Sequence, residues 1–302
     1  MTTPRRVRFV VPPESAGVRL DRALAAGVDG LSRTRARVLL DLGGVYLNGA
    51  RVKIASRTVR AGQTIEAVLG GAFERATKLV GSAARRADEA HLPRYDVIHE
   101  DADIFVVEKP AGLLSAPTPE SDRANLLALL RQRSGSGTPV FLVHRLDLPT
   151  SGLLVFARTA AANRVLAEAF RRHDVRREYL AIVSGTPLDD ALALTAPIGG
   201  RPAHTYANVV ERVGSLAALV RCRLETGRTH QIRIHLHGAG HPVVGDPRFP
   251  VRAALAPPRL ALHATLLGFV HPASGQPLVF ERPLPADLTD YLDRLRSATM
   301  RA

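Results

Sequence analysis

The stretch VHRLDLPTSGLLVFART (143–159) sets His144, Arg145 and Asp147 just ahead of a Pro-Thr-Ser-Gly turn. A carboxylate beside a cation can hold a charge, attack an electrophilic centre or move a proton. Behind it, Leu153 to Ala157 is an unbroken apolar run rich in strand formers, which predicts a buried strand. Polar groups on a loop that a rigid strand anchors are a common layout for a working site. An Arg-Asp pair that only ties down a turn fits the same spacing, since surface ion pairs are frequent and contribute little. His144 could serve as a general acid or base, but a structural imidazole is the preferred reading.

Other chemistries find less support. The run His230, His235, His237, His241 has no H-E-x-x-H arrangement and no nearby cysteine, so no metal site is expected. There is no G-x-G-x-x-G and no Walker-type loop, so neither a nucleotide cofactor nor ATP is implied. Cys222 is alone, which excludes an internal disulfide and suits a reducing cytoplasm. It lies between arginines in a strand-like run and reads as structural.

The elements that would carry the 143–159 stretch are mostly strands. Tyr95 to Glu100, Ile104 to Val107 and Tyr179 to Val183 are strand-rich, and His204 to Glu211 pairs with Leu216 to Leu224 about Gly214-Ser215. Helices are predicted over Asn125 to Arg133, Ala160 to Arg172, within THQIRIHLH (229–237) and over Ala286 to Ser297. Leu260 to Val270 returns to strand. Strands outnumber helices and come in hairpins, which predicts an α+β fold with a mixed, mainly antiparallel sheet.

Residues 18–69 read as a separate small α/β unit after an N-terminal extension, 1–17. Leu20, Ala23 and Leu24 mark a helical face, and Ser32 is a fitting N-cap for a second helix ending at Gly43-Gly44. Asn48-Gly49 is a hairpin turn and Thr64 to Leu69 a closing strand. Arg33, Arg35 and Arg37 project guanidiniums suited to phosphate oxygens, although a solvated helix face has the same pattern. Residues 70–93 mix small and charged residues and read as a linker to a second domain, 94–302.

The 41 Lys+Arg against 28 Asp+Glu give a net charge of +13. Residues 1–93 hold 16 basic and 8 acidic side chains, so most of the excess sits in under a third of the chain. Nucleic acid is the default partner of such a domain, because neutralising phosphates releases counterions. An acidic membrane surface and an arginine-favouring genome are the competing explanations. No run approaches the roughly 20 apolar residues that span a bilayer, and no apolar segment of a signal peptide follows the first arginines.

HRLD followed two residues later by TSG resembles the signature of the RluA-type pseudouridine synthase family, in which the Asp is catalytic. VVEKPAGLLSAP (106–117), REYLAIVSG (177–185), LETGRTHQIRIHLHGAGHPVVGD (224–246) and LHATLLGFVHP (262–272) match its further motifs in order. The resemblance covers about residues 94–296. Residues 18–69, with R-L-D at the start and G-G-V-x-L-N-G in the middle, resemble an S-four-type RNA-binding module, whose second helix and hairpin lie against RNA.

The resemblance implies an RNA uridine isomerase that needs no cofactor. Asp147 would be the catalytic carboxylate and Arg228 its cation partner. Tyr179 would stack on the base and be a candidate to take the final proton. Arg145 would be the wedge that replaces the flipped uridine. Lys109 would help hold RNA, a plain surface lysine being the alternative. Structured RNA is the expected partner, with large-subunit ribosomal RNA ahead of transfer RNA, and no membrane or obligate protein partner is implied. A non-catalytic RNA-binding or ribosome-assembly factor is the rival, but its mark would be loss of the acid. A glycosidase would want a second carboxylate paired with Asp147, and no motif provides one. Departures from the family pattern (Glu108, Leu148-Pro149, Arg177 and Arg248-Phe249-Pro250) bear on substrate choice more than on chemistry.

Overall fold

The computed structural model describes residues 4–78, 93–117, 125–135, 137–251, 253 and 255–300. The chain divides into two units, Met1–Leu92 with Ala116–Ala128, and Pro93–Ser115 with Leu129–Ala302.

In the first unit β1 (Arg5–Val10), α1 (Leu20–Gly27), α2 (Arg33–Leu42), β2 (Val45–Leu47), β3 (Ala50–Arg51), β4 (Thr64–Leu69) and α3 (Gly71–Lys78) follow in order. The sheet runs β1-β4-β2-β3 and is antiparallel throughout. Ser32 Oγ accepts from the Arg35 amide to close the start of α2, and Gly43 ends that helix at a φ of 82°. Asn48 and Gly49, both at positive φ, make the tight turn between β2 and β3.

Two elements here depart from the expectation. β1 lies in the stretch read as an extension, where Val7 and Phe9 alternate inward between arginines that mask so short a pattern. α3 lies in the stretch read as a linker, and its Phe73 joins Leu20, Leu39 and Ile65 in the core. One well-placed aromatic can dock a helix whose remaining residues look indifferent. Residues 79–92, also read as linker, lie outside the described residues.

The second unit contains β5 (Asp96–Glu100), β6 (Ile104–Lys109), the part of α4 (Leu126–Ser134) that follows Ala128, β7 (Phe141–Leu142), β8 (Ser151–Ala157), α5 (Ala160–Arg172) and β9 (Arg176–Ser184). It continues with β10 (Ala191–Leu194), β11 (Thr205–Val213), β12 (Ala217–Leu224), α6 (Gln231–Gly238), β13 (Leu262–Val270), β14 (Pro277–Glu281) and α7 (Ala286–Thr299). One sheet runs β10-β11-β12-β9-β13-β8-β6-β5, with β14 on β13 and β7 on β8. Every residue of β8 is buried, as its apolar run demands, and Leu166 of α5 packs with Val106, Val155 and Leu267. The α+β class and the mainly antiparallel sheet agree with the sequence. No described helix is long and apolar enough to cross a membrane.

The parallel junction is between β8 and β13, and it is narrow: His263 faces Ser151 and Ala264 faces Gly152. Ser151 Oγ and His263 Nδ1 lie 2.9 Å apart across it. Burial draws the His263 imidazole down to about 4, so it stays neutral. Gly152 sits at a φ of 118°, and a Cβ there would fall 2.2 Å from the Ala264 carbonyl oxygen. Gly152→Ala is therefore expected to cost on the order of 3 kcal/mol, combining backbone strain with overpacking. Urea unfolding should show a lower midpoint at unchanged slope; an unshifted midpoint would mean that the strands part easily.

Candidate active site

The loop that bears Asp147 is pinned on both sides by the segment after β6. Ser115 Oγ accepts from the Leu146 amide at 3.1 Å and donates to the Leu146 carbonyl at 3.0 Å. The Gly112 amide donates to the Leu148 carbonyl at 2.9 Å. Lys109 Nζ donates to the carbonyls of Pro110 and Leu113 at 2.9 Å and of Leu148 at 3.3 Å. Those three bonds use all three ammonium protons. The residues flanking Asp147 are thus fixed through their backbones.

This corrects the expectation for Lys109. It is neither a surface lysine nor placed to grip RNA: the side chain is fully buried beneath the loop. Burial draws its pKa down to about 7, while the charge of Asp147 works in the opposite direction. Carbonyls that converge from three residues offered the amine a better position than solvent did.

The expectation for Arg228 is also corrected. The guanidinium on Asp147 belongs to Arg233, whose Nη1 donates to Asp147 Oδ2 at 2.9 Å. Arg233 Nε and Nη2 each lie 2.7 Å from the carboxylate of Asp246, whose side chain is fully buried. One arginine therefore bridges two acids, one wholly buried and one 23% exposed. Arg228 precedes α6 and turns its Nε to the Pro202 carbonyl at 3.0 Å, which leaves it lining the cleft rather than pairing with the acid. Gln231 fixes that turn by accepting from the Arg228 amide and from Thr226 Oγ1. Ile232, Arg233, His235 and Leu236 are the buried face of α6, so a cation among apolar neighbours at helical spacing was the signal for Arg233.

His230 begins α6 in the left-handed conformation, at a φ of 59°. Its Nδ1 accepts from Arg248 at 2.9 Å, because a guanidinium only donates. The imidazole proton is therefore on Nε2, which faces Asp147 Oδ2 at 3.6 Å, beyond hydrogen-bond length. Arg233 and His230 both address Oδ2, and Oδ1 has no partner among the described residues.

Tyr179, on β9, lines the same cleft of about 70 Å³ with Arg145, Asp147, Arg228, His230 and Arg233. Burial raises its hydroxyl to about 12; Arg177 counteracts this and Asp147 adds to it. The phenol keeps its proton at neutral pH. Its ring forms a wall of the cleft. Arg145 is exposed. His144 is structural: its Nε2 accepts from the Val155 amide, its ring stacks on Phe170, and burial draws it down to about 3.

The remaining histidines of the run disperse. His235 bonds Thr205 and Ala196, His237 stacks on Phe249, and His241 bonds the Ser184 carbonyl. Asp101, Asp103 and His271 come close enough to share an ion. The chemistry of the third does not fit: His271 Nδ1 accepts from two backbone amides, so Nε2 carries the proton and donates to Asp101. Cys222 is buried and its thiol is pushed up to about 12.

In the N-terminal unit, Arg35 donates to the Gly30 carbonyl and lies over the Phe73 ring. Arg33 and Arg37 both bond Asp21.

The family described as RNA pseudouridylate synthase matches residues 103–238, and the S4 domain family matches residues 18–65. A relative from Xanthomonas campestris, named ribosomal large subunit pseudouridine synthase D, is 35% identical; the match covers 97% of this chain and 93% of that protein. An uncharacterized RNA pseudouridine synthase from Chloroflexus aurantiacus is 39% identical over 95% of this chain and 93% of its own. Among solved structures, human RNA pseudouridylate synthase domain containing 4 is similar at a TM-score of 0.57 and 25% identity, covering 71% of this chain and 97% of that one.

Proposed function

This chain belongs to the RNA pseudouridylate synthase family, and we propose that it isomerises uridines of large-subunit ribosomal RNA through Asp147. The reaction breaks the bond between uracil nitrogen and ribose, turns the base, and rejoins it through ring carbon five. A stacked base hides those atoms, so the nucleotide must first leave its helix. The observation that carries the reading is the asymmetry of Asp147. Arg233 holds Oδ2, which leaves Oδ1 to act on the nucleotide. It can attack covalently, stabilise an oxocarbenium-like sugar or take a sugar proton. Tyr179 packs against the base in this reading, Arg145 fills the space the base leaves, and Arg228 contacts RNA at the rim.

A hydrolytic alternative is less well supported. Asp246 is the second carboxylate nearby, yet both its oxygens are engaged by Arg233. Neither is free to activate water. The rival non-catalytic reading is not favoured by relatives named as synthases. The choice of large-subunit ribosomal RNA rests on those relatives' names and on the S4 domain.

Pseudouridine mapping in total RNA, with and without this protein, tests the proposal. Loss of specific sites from large-subunit ribosomal RNA is expected. Loss confined to transfer RNA would overturn the substrate, and an unchanged map would overturn the activity.

A further inference from the structure

The first unit holds a cluster that the isomerisation does not use. Asp21 of α1 is fully buried, and three arginines close on it. Arg19 Nε lies 3.1 Å from Oδ1, while Arg33 Nε and Arg37 Nε lie 3.0 and 2.9 Å from Oδ2. Burial works to raise the carboxyl, but the three guanidiniums outweigh it and hold it far below the ordinary carboxylate range. Asp21 is thus an anion, and three cations around one anion leave two positive charges in excess.

The cluster is oriented outward. One bidentate arginine would satisfy a buried carboxylate, yet Arg33 and Arg37 each give it only Nε. Their Nη groups have no hydrogen-bond partner among the described residues, and the two side chains stay 42% and 52% exposed. Because both are tied to the same oxygen, their outer ends are held side by side, one helical turn apart on α2. Unpaired guanidinium forks held together in this way are complementary to an oxyanion with several acceptor oxygens.

We propose that Arg19, Arg33 and Arg37 form a seat for one phosphodiester of the RNA backbone, with Asp21 as its positioning residue. The inference rests on the module binding RNA, and adds which group it grips and what organises the grip. Its sharpest consequence concerns sign. Removing the negative charge of Asp21 makes the module more basic, yet should weaken its hold on RNA because the guanidiniums lose their common anchor.

The test is the affinity of the full chain for a structured ribosomal RNA fragment at several salt concentrations, with thermal melts as a check on folding. Asp21→Asn is expected to bind about tenfold more weakly, with a salt slope shallower by roughly one or two. Equal or tighter binding with a steeper slope would overturn the positioning role. Arg33→Gln and Arg37→Gln leave the buried carboxylate alone and decide the matter should Asp21→Asn melt. If both address one phosphate, the double variant loses little more than either single one; losses that multiply would place them on separate phosphates and overturn the seat. Inorganic phosphate is expected to displace RNA from the wild type better than chloride at equal ionic strength and to lose that advantage in Arg33→Gln and Arg37→Gln; an advantage unchanged in both variants would place the anion elsewhere and overturn the seat. Unchanged affinity in every variant would instead remove RNA from this face of the module.

Discussion

Asp147→Asn is expected to abolish pseudouridine formation, by about 10⁴-fold or more, while leaving RNA affinity within roughly threefold of wild type. The amide preserves the shape of the side chain and can still accept from Arg233 Nη1. Arg233 also keeps both bonds to Asp246, so the loop should stay in place. What is lost is the negative charge on the free oxygen, on which every version of the chemistry depends. Single-turnover assays with excess enzyme separate the loss from binding. Full activity in this variant would refute the assignment of the acid.

Arg233→Leu should damage both chemistry and stability. Removing one partner from a buried ion pair leaves an uncompensated charge, at a cost of about 3–5 kcal/mol. Here the abandoned group is Asp246, which has no exposure. Burial pushes its carboxyl up, and in the wild type the bonds from Arg233 outweigh this and hold it below its ordinary 3.8. The sign follows. Wild-type stability from this pair is present above the unfolded pKa and is lost as pH falls through the lower folded value. Without Arg233 only the backbone amides of Arg248 and Phe249 oppose burial, so the carboxyl should rise and the variant should gain stability on mild acidification relative to the wild type. Arg233→Lys keeps a charge but cannot serve two carboxylates with one fork, and should be intermediate. Urea titrations at pH 5 and pH 7 distinguish these outcomes; a variant whose pH dependence matches wild type would contradict the bridging role.

What could be read from the residues was local or repeated. The α2 caps, the Asn48-Gly49 turn and the apolar run of β8 each carry their reason within a few neighbours. The resemblance implies Arg228 because a motif names a cation without saying which way it points. The left-handed backbone at His230 decides that, by starting α6 so that position 233 faces inward. Lys109 misled for a similar reason: one of its acceptors, the Leu148 carbonyl, comes from 39 residues away. β1 and α3 were hidden because each docks through only one or two apolar side chains. Burial of a lone charge is a tertiary fact, and spacing does not reveal it.

The join between β8 and β13 bears on how the chain fails. The acid rides on the loop entering β8, whereas the phenol on β9 and the guanidinium on α6 belong to the other half of the sheet. Parting of this seam would separate the reagents even with each half of the sheet intact, so the close fit of Gly152 against Ala264 guards the alignment of the cleft as well as the fold.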